Sequence, residues 1–243
     1  FFMMSFNLIM PELNGFITSL GGAEIKGLVI TLFTISAGIS RPFSGKISDL
    51  VGRKTTIYLG IIVCCIVSIS YSLAHSVFFF LGLRFLHGLS AGFMPTGATA
   101  LITDIVPETS RGQAMGIWGT FISLGIGVGQ ALGSWIFMRF DYTVLFACSG
   151  LLSIISLILA VYVRETLRVK TKFHPKMLLV RWNDVFEPSV LPASLVMFLT
   201  AASSGIIFVI TPDISSFLGI QNKGWFFGIY VISTMLVRLF TSS

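Results

Sequence analysis

Gly45–Ile57, GKISDLVGRKTTI, is a charged stretch set between two long apolar runs. Lys46, Asp49, Arg53 and Lys54 would each cost roughly 2.5–3.5 kcal/mol at a bilayer centre on an insertion scale, so the stretch lies at a water interface. It therefore marks where one membrane helix ends and the next begins. Gly45 and Gly52 lack a Cβ and are expected to bound a sharp turn, and Asp49 is spaced to pair with Arg53.

The composition around this stretch agrees with a membrane interior. Hydrophobic residues make up 54% of the 243 and charged residues 11%, and the mean hydropathy is +0.91, outside the range of soluble domains. The net charge of +6 does not point to nucleic acid, because the basic residues fall in short loops between apolar spans, as membrane topology requires. Cys64, Cys65 and Cys148 all lie within apolar runs without metal-ligand spacing and read as small hydrophobes. No metal and no cofactor are expected. The chain begins in mid-span with FFMMSFNLIM and stops in mid-span after MLVRLFTSS, and it reads as a fragment.

About 20 apolar residues cross roughly 30 Å of hydrocarbon, and windows of that length divide the chain into eight spans, the outermost two incomplete. They run from the start to about Leu20, then about 27–44, 56–74, 77–103, 113–138, 142–163, 190–210 and from Gly224 onward. Strands are excluded, since open sheet edges cannot be satisfied in lipid and no ten-residue alternation occurs. Twelve of the 16 basic residues fall in one set of alternate loops, against Lys26, Arg139 and Lys223 in the other, with Arg84 inside a span. The twelve-residue side is expected to be cytoplasmic.

Between spans six and seven, PKMLLVRWNDVF (Pro175–Phe186) places Leu178, Leu179, Trp182, Val185 and Phe186 near one helical face, which suits a helix lying on the membrane or a solvated linker. An internal repeat crosses this boundary. IMPELNGFI and ITPDISSFL share a proline, an acid, an aliphatic residue and Phe at Pro11/Pro212, Glu12/Asp213, Leu13/Ile214 and Phe16/Phe217. After a shorter loop Lys26/Lys223, Gly27/Gly224, Ser36/Ser233, Arg41/Arg238 and Phe43/Phe240 coincide. A repeat six spans long keeps the same orientation in both copies, as in transporters whose halves are related by an axis along the membrane normal. The expected organisation is a six-helix N-terminal bundle over residues 1–163 with its first helix truncated, a cytoplasmic linker over 164–189, and the first two helices of a second bundle over 190–243.

The spacing of Gly45, Asp49, Gly52, Arg53 and Lys54 resembles the loop between helices two and three of the major facilitator superfamily, G-x-L-A-D-R-x-G-R-K, with Ile47, Ser48 and Leu50 as departures. Arg84, His87, Gly88 and Gly92 in span four resemble the family's R-x-x-Q-G-x-G, with His87 for Gln and Ser90 for Gly; the resemblance implies proton coupling at Arg84 and His87. Gly116, Gly125, Gly129, Gln130 and Gly133 resemble the fifth-helix motif of the family's antiporters, G-x8-G-x3-G-P-x2-G, with Gln130 in place of proline. Asp104 and Arg111, flanking the loop between spans four and five, would join Asp49 and Arg53 in an ionic latch.

On the residues alone, Arg84 either faces a cavity or snorkels to the surface, and His87 either carries a proton or packs between helices. Glu12 and Asp213 are either helix-end carboxylates in water or sites for a cation or proton. The polar or kinked positions Asn7, Glu12, Met94, Pro95, Thr96 and Gln130 are the candidates for substrate contact. The resemblance implies an all-α polytopic protein of the cell membrane, a secondary transporter working by alternating access, with proton-coupled efflux of drugs or metabolites first and symport of a small solute second. A receptor or channel on the same fold stays open. No HExxH, phosphate-binding G-x4-G-K-[ST] or acyltransferase H-x4-D occurs, so an integral membrane enzyme is not expected.

Overall fold

A computed structural model of the chain describes residues 1–180, 188–220, 222 and 224–241. The helices are α1 (Phe2–Ile9), α2 (Leu13–Ser19), α3 (Gly27–Leu50), α4 (Arg53–Ser70), α5 (Val77–Ile105), α6 (Arg111–Arg139), α7 (Tyr142–Val161), α8 (Leu191–Phe217) and α9 (Gly224–Thr241), and the described residues contain no strand. Among the described residues, six helical segments are long and apolar enough to cross a membrane. The first expected span is interrupted. A 3₁₀ turn at Met10–Glu12, where Pro11 supplies no N–H to a continuous helix, splits the first span into α1 and α2. α9 is helical over Gly224–Thr241, with Trp225–Thr234 as its described apolar stretch.

The sharpest correction concerns Gly45. α3 does not stop at Ser44 but continues through Gly45 to Leu50, so the turn is confined to Val51 and Gly52. Helical hydrogen bonding continues past the membrane boundary because Lys46 and Asp49 are then already in water while the backbone stays paired. Gly52 supplies the turn itself, with φ of 150°, a value side chains disfavour. Elsewhere the helix starts follow local chemistry. Ser76 Oγ accepts from Phe79 N at 3.3 Å, and Asp141 Oδ1 from Val144 N at 2.9 Å, capping α5 and α7.

α5 lies between α3 and α4, α1 packs on α6, and α4 on α7; α9 packs on α6. Away from the α3–α4 turn, the interior is aromatic: Phe16 meets Phe80, Tyr142 and Phe146 edge-on at centroid distances of 5.2, 4.9 and 5.0 Å. Nearer the turn, Phe2, Ile57, Ile61, Cys64, Ala98 and Ala160 form a second apolar cluster. Among the described linker residues, Pro175–Leu178 forms one 3₁₀ turn, and a second, Pro188–Val190, leads into α8. Trp182, Val185 and Phe186, which would carry the rest of the expected membrane-lying face, are outside the described residues, as is Lys223 of the repeat.

Candidate functional site

Three polar assemblies occupy the helices from α1 to α7. The first is built on Arg53 at the start of α4. Its Nη1 donates to Asp49 Oδ1 at 2.6 Å and to Ser48 O at 2.7 Å, and its Nε donates to Asp104 Oδ2 at 3.0 Å. One guanidinium fork thus ties the ends of α3 and α5 to the start of α4. Thr166 Oγ1 donates to the same Asp104 oxygen at 2.6 Å. Glu165 accepts from the backbone N–H of Arg53 at 3.0 Å and of Lys54 at 3.3 Å, capping α4 from a position 112 residues away. A Cβ on Gly52 would meet that carboxylate and push it off the cap, while the backbone φ by itself already favours glycine. Partial burial works to raise the Glu165 carboxyl, but donation from Leu167 N–H, Lys170 and Arg53 N–H outweighs it and holds the group below its ordinary value. A depressed carboxylate stabilises above its ordinary titration range, and the cap is lost as the pH falls below that range through the folded value.

Two expected latch members stand elsewhere. Arg111 makes its ion pair with Glu108 at 3.3 Å, both well exposed, and acts on Asp104 only as a more distant charge. Lys54 reaches the end of α7, donating to Val161 O at 2.7 Å. Gly45 has open space where a Cβ would be and takes no part in the contact.

The second assembly is wholly buried around Arg84, whose side chain does not snorkel. Its Nε donates to Val29 O at 3.1 Å, its Nη1 to Tyr71 Oη at 3.4 Å and its Nη2 to Met10 Sδ at 3.7 Å, and the guanidinium lies 4.6 Å from the Phe33 ring centroid. Tyr71 Oη is 3.0 Å from His87 Nδ1, and His87 Nε2 is 3.3 Å from Cys64 Sγ. The Tyr71 oxygen accepts from Arg84; when its own proton is given to Nδ1, the His87 proton sits on Nε2, facing Cys64. Cys64 Sγ lies 3.3 Å from Ser153 Oγ, which is 2.6 Å from Ser5 Oγ; Ser149 completes the group, donating to Ser68 Oγ at 3.1 Å. A continuous line of hydrogen-bonding groups therefore runs from Arg84 through α4 and α5 to α1 and α7. His87 packs between helices and links the line.

The third assembly is the α1–α6 seam. Gln130 Nε2 donates to Asn7 Oδ1 at 3.3 Å, and Asn7 Nδ2 to Met3 O at 2.8 Å. Gln130 Oε1 is a buried acceptor without a donor, beside a small cavity also lined by Met10, Pro11, Pro212 and Phe227. The repeat-related prolines thus line one space. Glu12 is not a carboxylate in water: it is 2% exposed and accepts from Ser134 Oγ at 2.9 Å. Its counterpart Asp213 is half-exposed and 3.7 Å from Lys26. Thr96, by contrast, bonds back to Gly92 O of its own helix at 2.7 Å, and Met94 packs on Gly60 of α4.

Of the fifth-helix glycines, Gly125, Gly129 and Gly133 form the contact, their faces lying against Met3, Met4 and Leu8 of α1; Gly116 meets nothing. At Gly133 an added Cβ would fall on the Leu8 carbonyl oxygen, backbone that cannot swing aside. Gly133→Val is therefore expected to destabilise the bundle by about 3 kcal/mol, in the range for an overpacked core, while Gly116→Val changes it by less than about 0.5 kcal/mol. Thermal unfolding of the purified variants in detergent checks both. The residues missed from sequence are Glu165, Thr166, Tyr71 and the serines 5, 68, 149 and 153. Small hydroxyls in apolar runs carry no signal distinguishing them from packing residues; Glu165, at the end of span six among basic residues, was the one with a visible charge signal.

Apolar helices of membrane length around buried polar centres, with a charged clasp at one end, define a multi-pass helical membrane protein. The model of the Major Facilitator Superfamily matches residues 1–243, and the chain belongs to that family. It is 26% identical over 206 residues to the quinolone resistance protein NorA of Staphylococcus aureus, covering 82% of this chain and 53% of that protein. With multidrug resistance protein 2 of Bacillus subtilis it shares 30% identity over 172 residues, 70% of this chain and 42% of that one. The chain thus spans about half the length of the curated relatives it matches. The fold is also that of the human organic anion transporter MFSD10, with a TM-score of 0.76 at 19% identity, covering 98% of this chain and 68% of that one.

Proposed function

We propose that the chain forms the first bundle, the linker and the opening helices of the second bundle of a secondary active transporter, exporting drug-like or metabolite solutes in exchange for protons. The observation that carries this reading is Arg84. A guanidinium enclosed in a membrane bundle costs several kcal/mol to keep, and such residues mark ion, proton or substrate pathways. Its hydrogen-bonded line to His87 and Cys64 supplies groups able to respond to a proton. The names of the two bacterial relatives support solutes of the quinolone and multidrug kind. Asn7, Gln130 and Glu12 are the proposed solute contacts, with Gln130 Oε1 as a free acceptor for a donor on the solute. The Arg53 clasp, with Asp49 and Asp104, lies on the cytoplasmic side and opens when the transporter changes state. Gln130 in place of the antiporter proline favours a second reading, proton-coupled symport, since it removes a kink.

The test is flux in proteoliposomes of the full-length protein, with a fluoroquinolone, a cationic dye and a sugar as solutes. Saturable efflux of the quinolone or dye that collapses with the pH gradient is expected. Sugar uptake driven by the gradient would select symport, non-saturating flux a channel, and no flux of any solute a receptor.

A further inference from the structure

We propose that an anionic phospholipid binds this protein with one acyl chain in a groove between α3, α4 and α5 and its headgroup under the linker. The groove has a volume of about 430 Å³ and is lined by Ile47, Leu59, Val63, Leu89, Phe93 and Phe173, among others. Its two hydroxyl residues are Thr55 and Ser90, and Ser90 Oγ is turned to His87 O of its own helix at 2.6 Å. No charged group converges there, in contrast to a solute site, which places a few polar groups around its ligand. Leu59 is 40% exposed, so the groove opens on the outside of the bundle, away from the buried Arg84 line.

The dimensions fit one lipid tail. Thr55, Leu59 and Val63 follow each other along one face of α4, and at ~1.5 Å per residue this wall is ~12 Å deep. One leaflet's share of a ~30 Å hydrocarbon core is ~15 Å. The mouth fits an anionic headgroup. Phe173 and Leu178 of the linker close the groove at the end where the α3–α4 turn lies, and the residue before Phe173 is Lys172, exposed. Arg164 and Arg168 are exposed on the same linker. Basic segments at the end of a membrane span attract anionic lipid headgroups. Chain and headgroup sites are thus adjacent in sequence, with Lys172 beside Phe173.

The cytoplasmic leaflet as the lipid's source rests on the orientation proposed above, so the test is made in detergent, where orientation plays no part. The full-length protein is incubated with equal amounts of phosphatidylglycerol and phosphatidylcholine, and retained lipid is read by native mass spectrometry. Wild type is expected to retain one phosphatidylglycerol at least fivefold over phosphatidylcholine. Leu59→Trp, which fills the groove, is expected to cut retention of both at least fivefold, and Leu151→Trp, exposed on α7, to leave it unchanged. Val63→Phe gives the same reading one turn deeper should Leu59→Trp misfold. Arg168→Gln with Lys172→Gln is expected to bring the two lipids to parity. Equal retention of both lipids by wild type, or retention unchanged by the groove-filling variants, or an equal loss in Leu151→Trp, would overturn the proposal.

Discussion

Arg84→Lys is expected to insert and fold yet lose proton-dependent transport by about a hundredfold. The arginine works through shape: a planar fork reaches Val29 O, Tyr71 Oη and Met10 Sδ while its face lies over Phe33. An ammonium keeps the charge but cannot span these partners together. Losing one hydrogen bond from a charged group and most of a buried cation–π contact amounts to roughly 3 kcal/mol, about two powers of ten. The measurement is initial flux against pH in proteoliposomes, with the inserted amount quantified. Wild-type flux with unchanged pH dependence would remove Arg84 from the coupling machinery and leave it a packing residue. Tyr71→Phe is the companion variant. It keeps the ring contacts with Phe80 and Phe146 but cuts the link between Arg84 and His87, so a packing role predicts little change and a coupling role a shifted pH profile.

Arg53→Ala is expected to lower transport about thirtyfold without preventing insertion, and Asp49→Asn to lower it less. The asymmetry follows from the geometry. Arg53 side-chain exposure is 13%, and its fork holds Asp49, Ser48 and Asp104, whereas Asp49 is 67% exposed and holds Arg53 alone. Exposed pairs contribute under about 1 kcal/mol, but the half-buried fork with its charged hydrogen bonds contributes about 2 kcal/mol to whichever state contains it. Removing the hub shifts the balance between states by that amount, and a carrier that must visit both slows. Flux measured beside accessibility of single cysteines on the clasp side checks the prediction. Flux in Arg53→Ala equal to wild type would reduce the clasp to surface decoration.

Some of this was legible in the one-dimensional text because the physics involved is local. Apolar runs of about 20 residues define membrane helices whatever they pack against, and the Asp49–Arg53 pair is four residues apart on neighbouring helix ends. Pro11 and Pro212, read as repeat equivalents, meet at one cavity. Local reasoning also misled. A glycine before a charged stretch suggested a turn at Gly45, but nothing in water stops a helix that still satisfies its own backbone. Arg111 acts on Asp104 only as a distant charge, because Glu108, three residues away, takes its ion pair.

By itself the sequence determined an all-helical, multi-pass chain with an internal repeat, the clasp's local pair and an arginine set within an apolar span. Only the tertiary structure decided who satisfies it. The line from Tyr71 through His87 and Cys64 to Ser5, Ser149 and Ser153, the Glu165 cap on α4 and the choice of Gly133 over Gly116 all join residues tens to more than a hundred positions apart. The physical reason is common to them. In an apolar medium a polar group is held by whichever partner helix packing brings within about 3 Å, and helices that are uniformly apolar along their length carry little information about which neighbour that will be.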